Sequence, residues 1–101
     1  MRDISFKVDG QHLALVSDIS DLIVGSRSYL RVKFEFDDSW NGYTKAVVFY
    51  AGGKEEAFFI NDDPVPIPDE FTARRTFKMR VIGKNGYTSI PTNKITIVQG
   101  V

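Results

Sequence analysis

Cysteine is absent from the 101-residue chain, histidine and tryptophan occur once each, and there is no net charge because thirteen basic residues balance thirteen acidic ones. The absence of cysteine excludes disulfides, thiolate catalysis and cysteine-ligated metals. A single histidine is too few for a histidine-built metal centre. A neutral chain also lacks the broad positive field that non-specific nucleic-acid binding requires, so no nucleic-acid partner is expected.

The chain lacks long hydrophobic runs and the common catalytic motifs. No window approaches the about 18 apolar residues of a membrane-spanning helix, and Arg2, Asp3 and Lys7 interrupt the region where a signal peptide would be apolar. We therefore expect synthesis in the cytoplasm, no signal peptide and no membrane partner. Gly-x-Gly-x-x-Gly, phosphate-loop and Gly-x-Ser-x-Gly patterns are missing, and His12 has no nucleophile beside it. These absences predict a protein that is not an enzyme and has no catalytic residue and no cofactor.

The chain does have hydrophobic alternation with a period of two. Hydrophobic residues make up 43% of the sequence, which suffices for one core, so we predict a single domain over residues 1–101. A predicted strand over residues 29–36 places its leucine, valine and phenylalanine side chains on one face and its charged side chains on the other. Residues 76–81 repeat the pattern. Strands with one apolar side are typical of antiparallel sheets that cover a core.

Glycine dipeptides and a proline run separate the other predicted strands. Three dipeptides tolerate the positive φ angles of tight hairpin turns, namely Asp9-Gly10, Gly52-Gly53 and Asn85-Gly86. Residues 62–68 hold three prolines at alternate positions, which predicts an extended crossover between sheets. Further strands are predicted over residues 4–8, 12–16, 44–51, 54–60, 87–90 and 94–98, with a weaker candidate over 22–24. About seven or eight short strands predict an all-β fold, an immunoglobulin-like antiparallel β-sandwich, with a small β-barrel as the alternative.

The hairpin around Gly52-Gly53 is apolar on both faces. A two-residue turn pairs Tyr50 with Glu55, Val48 with Ala57 and Ala46 with Phe59 on one face. We predict that the other face, which carries the bulkier Val47, Phe49, Phe58 and Ile60, points into the core. Because a sandwich strand needs only one apolar side, the second side requires a cover.

The sequence allows two alternatives for what covers this second side. One is the amino-terminal segment or the proline run of the same chain. The other is a second subunit, which the absence of net charge permits. The second alternative predicts a homo-oligomer whose protein interface consists of Ala46, Val48, Tyr50, Ala57 and Phe59.

Other candidate sites have simpler structural explanations. Trp40 and Tyr43 could stack on sugar rings, which would make the chain a carbohydrate-binding β-sandwich module, but a lone tryptophan after a strand also plugs one end of a core. Adjacent acidic pairs lack the spacing of a calcium loop, so we predict no metal site. Basic residues at 74, 75, 78 and 80 are interpreted as a solvated face.

One series of motifs resembles a pattern in small structural proteins of tailed bacteriophages. There, a strand ending in Phe-x-Phe leads into a Trp-x-Gly corner and then a lysine-containing strand that ends in phenylalanine. The corresponding residues here are Phe34, Phe36, Trp40, Gly42, Lys45 and Phe49. Two later pieces are also similar, Ile67-Pro68 leading into Phe77, Val81 and Gly83, and residues 90–93 leading into a strand with Ile95 and Ile97.

This resemblance covers roughly residues 28–98 and implies an immunoglobulin-like domain of a virion protein. A non-enzymatic role follows, in a tail, baseplate, fibre attachment or capsid decoration. The implied partners are the chain itself and other virion proteins, and the implied location is the virion, after synthesis in the host cytoplasm. A virion component presents complementary patches repeatedly in a symmetric assembly, so the second apolar hairpin face agrees with what the resemblance implies.

Overall fold

Two β-sheets face each other in the computed structural model, which describes residues 1–100. A short α-helix and a 3₁₀ turn lie between strands. The elements are β1 (Arg2–Asp9), β2 (His12–Leu15), β3 (Leu30–Phe36), the 3₁₀ turn (Asp38–Trp40), β4 (Thr44–Ala51), β5 (Lys54–Ile60), β6 (Val65–Pro66), α1 (Asp69–Thr72), β7 (Thr76–Asn85), β8 (Thr88–Pro91) and β9 (Ile95–Val98).

The first sheet has the strand order β2-β1-β3-β6 and the second has the order β5-β4-β7-β8, with β9 also pairing with β7. The two sheets form a sandwich rather than a closed barrel, so the predicted all-β, immunoglobulin-like sandwich is confirmed. One pairing differs from the antiparallel expectation, because β1 and β3 run parallel over seven residue pairs from Arg2–Leu30 to Val8–Phe36. The candidate strand over residues 22–24 is reduced to a single bridge between Ile23 and Gly100.

The core lies between the sheets and follows the period-two pattern of the strands. Ile4, Phe6 and Val8 of β1 are buried, and the intervening residues are more exposed. Three phenylalanine rings from β4, α1 and β7 meet at the centre, with centroid distances of 5.6 to 6.3 Å between Phe49, Phe71 and Phe77. Burying a phenylalanine side chain contributes about 1.5 to 3 kcal/mol, so this aromatic cluster is a main source of the stability that holds α1 against the second sheet.

All three predicted hairpins are present. The β4–β5 turn closes at the pair Ala51–Lys54, and Gly52 and Gly53 have φ angles of 55° and 80°. Both angles lie in the left-handed region, which a two-residue type I′ turn requires at its central positions. β7 extends beyond its predicted end at residue 81 to Asn85, where the third hairpin turns.

The proline run crosses from the second sheet to the first, as predicted, but it also contributes a strand. β6 pairs with β3 at the edge of the first sheet, where a proline without an N–H group is tolerated. The chain then forms α1 directly after Pro68 and returns to the second sheet in β7. At four residues, α1 is too short to produce a helical period in the sequence. No helix within residues 1–100 is long and apolar enough to cross a membrane.

Candidate protein interface

The register of the β4–β5 hairpin is the predicted one. Ala46 pairs with Phe59, Val48 with Ala57 and Tyr50 with Glu55. Residues that pair directly across antiparallel strands share a face. The five predicted interface residues therefore lie together on one face of the second sheet, which we call the outer face.

The opposite face of the hairpin points towards the core, as predicted. Val47 and Phe49 are completely buried. Phe58 also lies on this side, with its ring centroid 6.0 Å from that of Phe49. Because β5 is the edge strand of its sheet, Phe58 nevertheless stays 37% exposed.

Neither predicted cover from the same chain lies over the outer face. The amino-terminal strand β1 and the strand β6 of the proline run both belong to the first sheet. Phe59 is 75% exposed, and Ala57 is exposed as well. The interpretation that the amino-terminal segment or the proline run covers this hairpin face is therefore wrong.

Side chains of the same sheet cover part of the outer face. Val48 is only 7% exposed and lies between its cross-strand partners Ala57 and Arg80. The Nζ of Lys94 lies 4.3 Å from the centroid of the Tyr50 ring, a cation–π contact, and burial raises the pKa of the Tyr50 hydroxyl. Exposed apolar surface is thus concentrated on β5 rather than spread over all five predicted residues.

A row of apolar residues continues this surface across the second sheet. Ala46 pairs with Phe59 on one side and with Ile82 on the other, and Ile82 pairs with Pro91. The row therefore crosses four strands on the outer face. The sequence did not place Ile82 and Pro91 on this surface. They lie beside Ala46 only because β4 pairs with β7, and these two strands are not a local hairpin.

The free edge of β5 borders the exposed part of the row. β5 is a seven-residue strand, and only one side of it pairs, with β4. In a two-residue hairpin the pair that closes the turn, Ala51–Lys54, is hydrogen-bonded, and such pairs alternate along the ladder. The main-chain groups of Glu55, Ala57 and Phe59 therefore point away from β4.

A groove of about 710 Å³ opens beside this edge. Glu56 and Phe58 line the groove on the β5 side, and Arg31 and Pro66 line it from the first sheet, followed by Ile67 directly after β6. The groove marks the place where the two sheets separate at their edges. An aromatic ring entering it would contact Phe58 and the proline run.

Two glutamates, Glu56 and Glu70, line the groove, and Lys54 forms an ion pair with one of them. The Nζ of Lys54 is 2.5 Å from Oε2 of Glu70, and this contact lowers the pKa of Glu70. A hydrogen bond in which Glu56 donates its proton to Glu70 raises the pKa of Glu56. Lys54 thus stabilises the ionised form of Glu70, while Glu56 retains its proton to higher pH than an isolated glutamate.

The alternative glycan-contact residues do not form an exposed pair. Trp40 is completely buried, and its Nε1 donates a hydrogen bond to the main-chain oxygen of Gly10 at 2.8 Å. Its ring closes one end of the core between Phe36 and Tyr43, with centroid distances of 5.2 and 6.1 Å. The assignment of Trp40 as a sugar contact is therefore wrong, because neither face of its ring is accessible, and Tyr43 is half-buried beside it.

The acidic pairs serve local structure where contacts are present. Asp37 accepts hydrogen bonds from the Ser39 hydroxyl and from the main-chain N–H groups of Gly10 and Ser39, and these bonds lower its pKa. Asp69 accepts one from the N–H of Ser28 at 2.9 Å. In the described part of the chain, no cluster of three or more histidine, aspartate or glutamate side chains could hold a metal ion.

Comparisons of the chain with models of protein families, with curated proteins and with solved structures found no match.

Proposed function

We propose that the chain is a non-enzymatic structural protein of a phage particle and acts through protein–protein contacts. The observation that carries the contact role is the free edge of β5, where Phe58 and Phe59 are 37% and 75% exposed on opposite faces of a strand that pairs along one side only. Long apolar edge strands favour pairing with another chain. The charges of β5 are confined to Lys54, Glu55 and Glu56 beside the turn, so the apolar run from Ala57 to Ile60 is the part of this edge that no charge or proline protects.

The assignment to a phage particle rests on the resemblance of the motifs in residues 28–98. The structure supplies a reason for several of these motif residues. Trp40 packs against Phe36 and lies above Gly83, so the corner and the later glycine form one packed unit at the end of the core. These residues support the domain architecture, and β5 supports the role in assembly. The proposal includes four alternative positions in the particle, namely the tail, the baseplate, the fibre attachment and the capsid.

Mass spectrometry of purified particles tests the function. Particles are prepared from a host that expresses the phage genome containing this reading frame, and protein copy numbers are measured relative to the main capsid protein. We expect the chain at a fixed copy number that corresponds to a symmetric ring or shell. Its absence from washed particles, with the free protein present in the lysate, would contradict the proposal.

A further inference from the structure

We propose that β5 pairs antiparallel with β5 of a second copy. The second sheets of the two copies then form one continuous sheet across a two-fold axis at Phe58. This inference deepens the proposed function and rests on it, because it names the first partner used in assembly. A two-fold contact uses the same surface on both copies. The strand must therefore be complementary to itself in both hydrogen bonding and charge.

The hydrogen-bonding requirement is met by alternation along β5. Outward-pointing main-chain groups belong to Glu55, Ala57 and Phe59, which are spaced two residues apart. No hydrogen bond within residues 1–100 outside the β4–β5 ladder uses these groups. An antiparallel strand with the same spacing can satisfy all of them. The edge thus offers a row of donors and acceptors that matches its own copy.

The charge pattern selects one register among those that are two-fold symmetric. An axis at Phe59 leaves only three residues of β5, from Phe58 to Ile60, to pair with the second copy, and an axis at Glu56 places two glutamates opposite each other. Like charges directly opposite one another destabilise a sheet. An axis at Ala57 places Glu55 against the exposed ring of Phe59, which removes water from a carboxylate without pairing it.

The axis at Phe58 avoids these three placements. It sets Glu56 opposite Ile60 of the second copy, and Glu56, unlike Glu55, has a hydrogen bond to Glu70 in its own chain. It sets Phe58 opposite Phe58 of the second copy and Phe59 opposite Ala57 of the second copy. It also brings Lys54 close to Asp62 of the second copy, which lies just past the end of β5 at Ile60, and the symmetry repeats this opposite-charge pair. Both residues are exposed, so the pairs favour the register more than they add to affinity.

The groove beside β5 accommodates this arrangement. Phe58 faces the core side of its sheet and lines the groove. In the proposed register the two Phe58 residues form a pair that is not hydrogen-bonded, in which the side chains are closest. Each ring then lies at the mouth of the other copy's groove. On the outer side, Phe59 extends the apolar row of one copy onto Ala57 of the second.

Ala57→Pro tests strand pairing directly. Proline at residue 57 removes an N–H group that points away from β4, so the hairpin keeps its own ladder while the edge loses a central donor. Ala57→Ser is the matched control, because it retains the N–H group at nearly the same size. Sedimentation equilibrium should give twice the 11.4 kDa chain mass for the unchanged protein and for Ala57→Ser, and the single-chain mass for Ala57→Pro with unchanged circular dichroism.

Single cysteines test the register, since the natural chain has none. Under mild oxidation Phe58→Cys should form an interchain disulfide faster than Ala57→Cys or Phe59→Cys. Only at residue 58 do identical positions lie opposite one another, and Cα atoms more than about 7 Å apart cannot be bridged. This measurement tests the proposed strand pairing even if Ala57→Pro fails to fold.

The proposed dimer is overturned if the unchanged protein is a monomer at high concentration, if folded Ala57→Pro remains a dimer, or if another cysteine position reacts fastest. A monomer that is still incorporated into particles, with Ala57→Pro excluded from them, would assign the edge to a strand of a different virion protein. A dimer that is absent from particles would leave this inference standing and remove the proposed function.

Discussion

Gly83 of β7 lies directly against the ring of Trp40. A Cβ atom at residue 83 would be 2.6 Å from Cζ3 of the indole and 3.3 Å from Cδ2 of Tyr43. Both aromatic rings belong to the corner between β3 and β4, and the indole is also held by its hydrogen bond to Gly10. The absence of a side chain at Gly83 is thus what allows the tryptophan to close this end of the core.

We predict that Gly83→Ala lowers the free energy of unfolding by about 1 to 3 kcal/mol, the usual range for overpacking a filled core. The buried indole cannot move aside without losing its hydrogen bond. Urea denaturation followed by tryptophan fluorescence measures the change. Gly86→Ala is the control for the loss of a glycine, because a Cβ there meets no atom within 4 Å, although its φ of 61° carries its own strain. An unchanged midpoint for Gly83→Ala would contradict this account of the corner.

A second prediction concerns Gln99, which is completely buried near the end of the described chain. Its Nε2 donates hydrogen bonds to the main-chain oxygens of Thr72 at 3.0 Å and Arg74 at 2.8 Å, and so ties the segment after β9 to the end of α1. Gln99→Leu leaves the buried Thr72 oxygen with the Gly25 N–H as its remaining donor and removes the side-chain donor to the partly buried Arg74 oxygen. We expect a loss of about 1 to 3 kcal/mol in the free energy of unfolding, with the segment after α1 showing faster amide exchange.

Exposed Val98 supplies the control for Gln99. Val98→Leu changes a neighbouring side chain that is 51% exposed and makes no comparable hydrogen bond, so its effect should stay within about 0.5 kcal/mol. Equal denaturation midpoints for Gln99→Leu and Val98→Leu would show that the two hydrogen bonds do not hold this segment.

Local signals explain which parts of the fold could be predicted from the sequence. Gly52 and Gly53 permit a two-residue turn, and that turn leaves a single register for β4 and β5, so the order of residues on each face followed from counting. The parallel pairing of β1 with β3 joins strands that are distant in the chain. No turn connects them directly, and the hydrophobic alternation of each strand is compatible with several neighbours.

The sequence predicted which face of the hairpin forms the candidate interface, but not how much of that face is exposed. Alternation placed Val48 and Phe59 on the same face, yet one is 7% and the other 75% exposed. The difference arises because Val48 lies inside the sheet between two strands, whereas Phe59 is on the edge strand. Strand order, which sequence alternation does not contain, therefore decides how much of the predicted surface is free.

A third prediction is a pH effect at Glu56. Its pKa is raised in the folded protein by the hydrogen bond to Glu70, so the folded state binds this proton more tightly than the unfolded state does. The resulting stability is present below the unfolded pKa and is lost as the pH rises through the folded pKa. Glu56→Gln keeps a hydrogen-bond donor to Glu70 at every pH.

We therefore expect Glu56→Gln to melt at a higher temperature than the unchanged protein at neutral pH. The difference should shrink as the pH falls below the reference value of 4.5 for a glutamate. Differential scanning calorimetry across this range measures it. Glu35→Gln, at an exposed position of β3, controls for the simple change in net charge. A difference of equal size for both variants at all pH values would contradict the role of the Glu56–Glu70 hydrogen bond.

The last prediction tests the outer face itself. Phe59→Asp places a carboxylate on β5 at a side chain that is 75% exposed, so the fold should lose no more than about 0.5 kcal/mol. An assembly that buries Phe59 would instead have to remove water from the new charge. Light scattering should therefore show a smaller assembly than that of the unchanged protein, with the circular dichroism spectrum retained.

Tyr87→Asp is the matched control for this change, because Tyr87 is a fully exposed aromatic residue at the β7–β8 turn, away from β5. It should leave the assembly mass unchanged, since its ring lies outside both the apolar row and the free edge. If Phe59→Asp and Tyr87→Asp dissociate the assembly equally, added negative charge rather than burial of Phe59 is the cause. If the unchanged protein scatters as a monomer at high concentration, the exposed ring of Phe59 has no partner among copies of this chain.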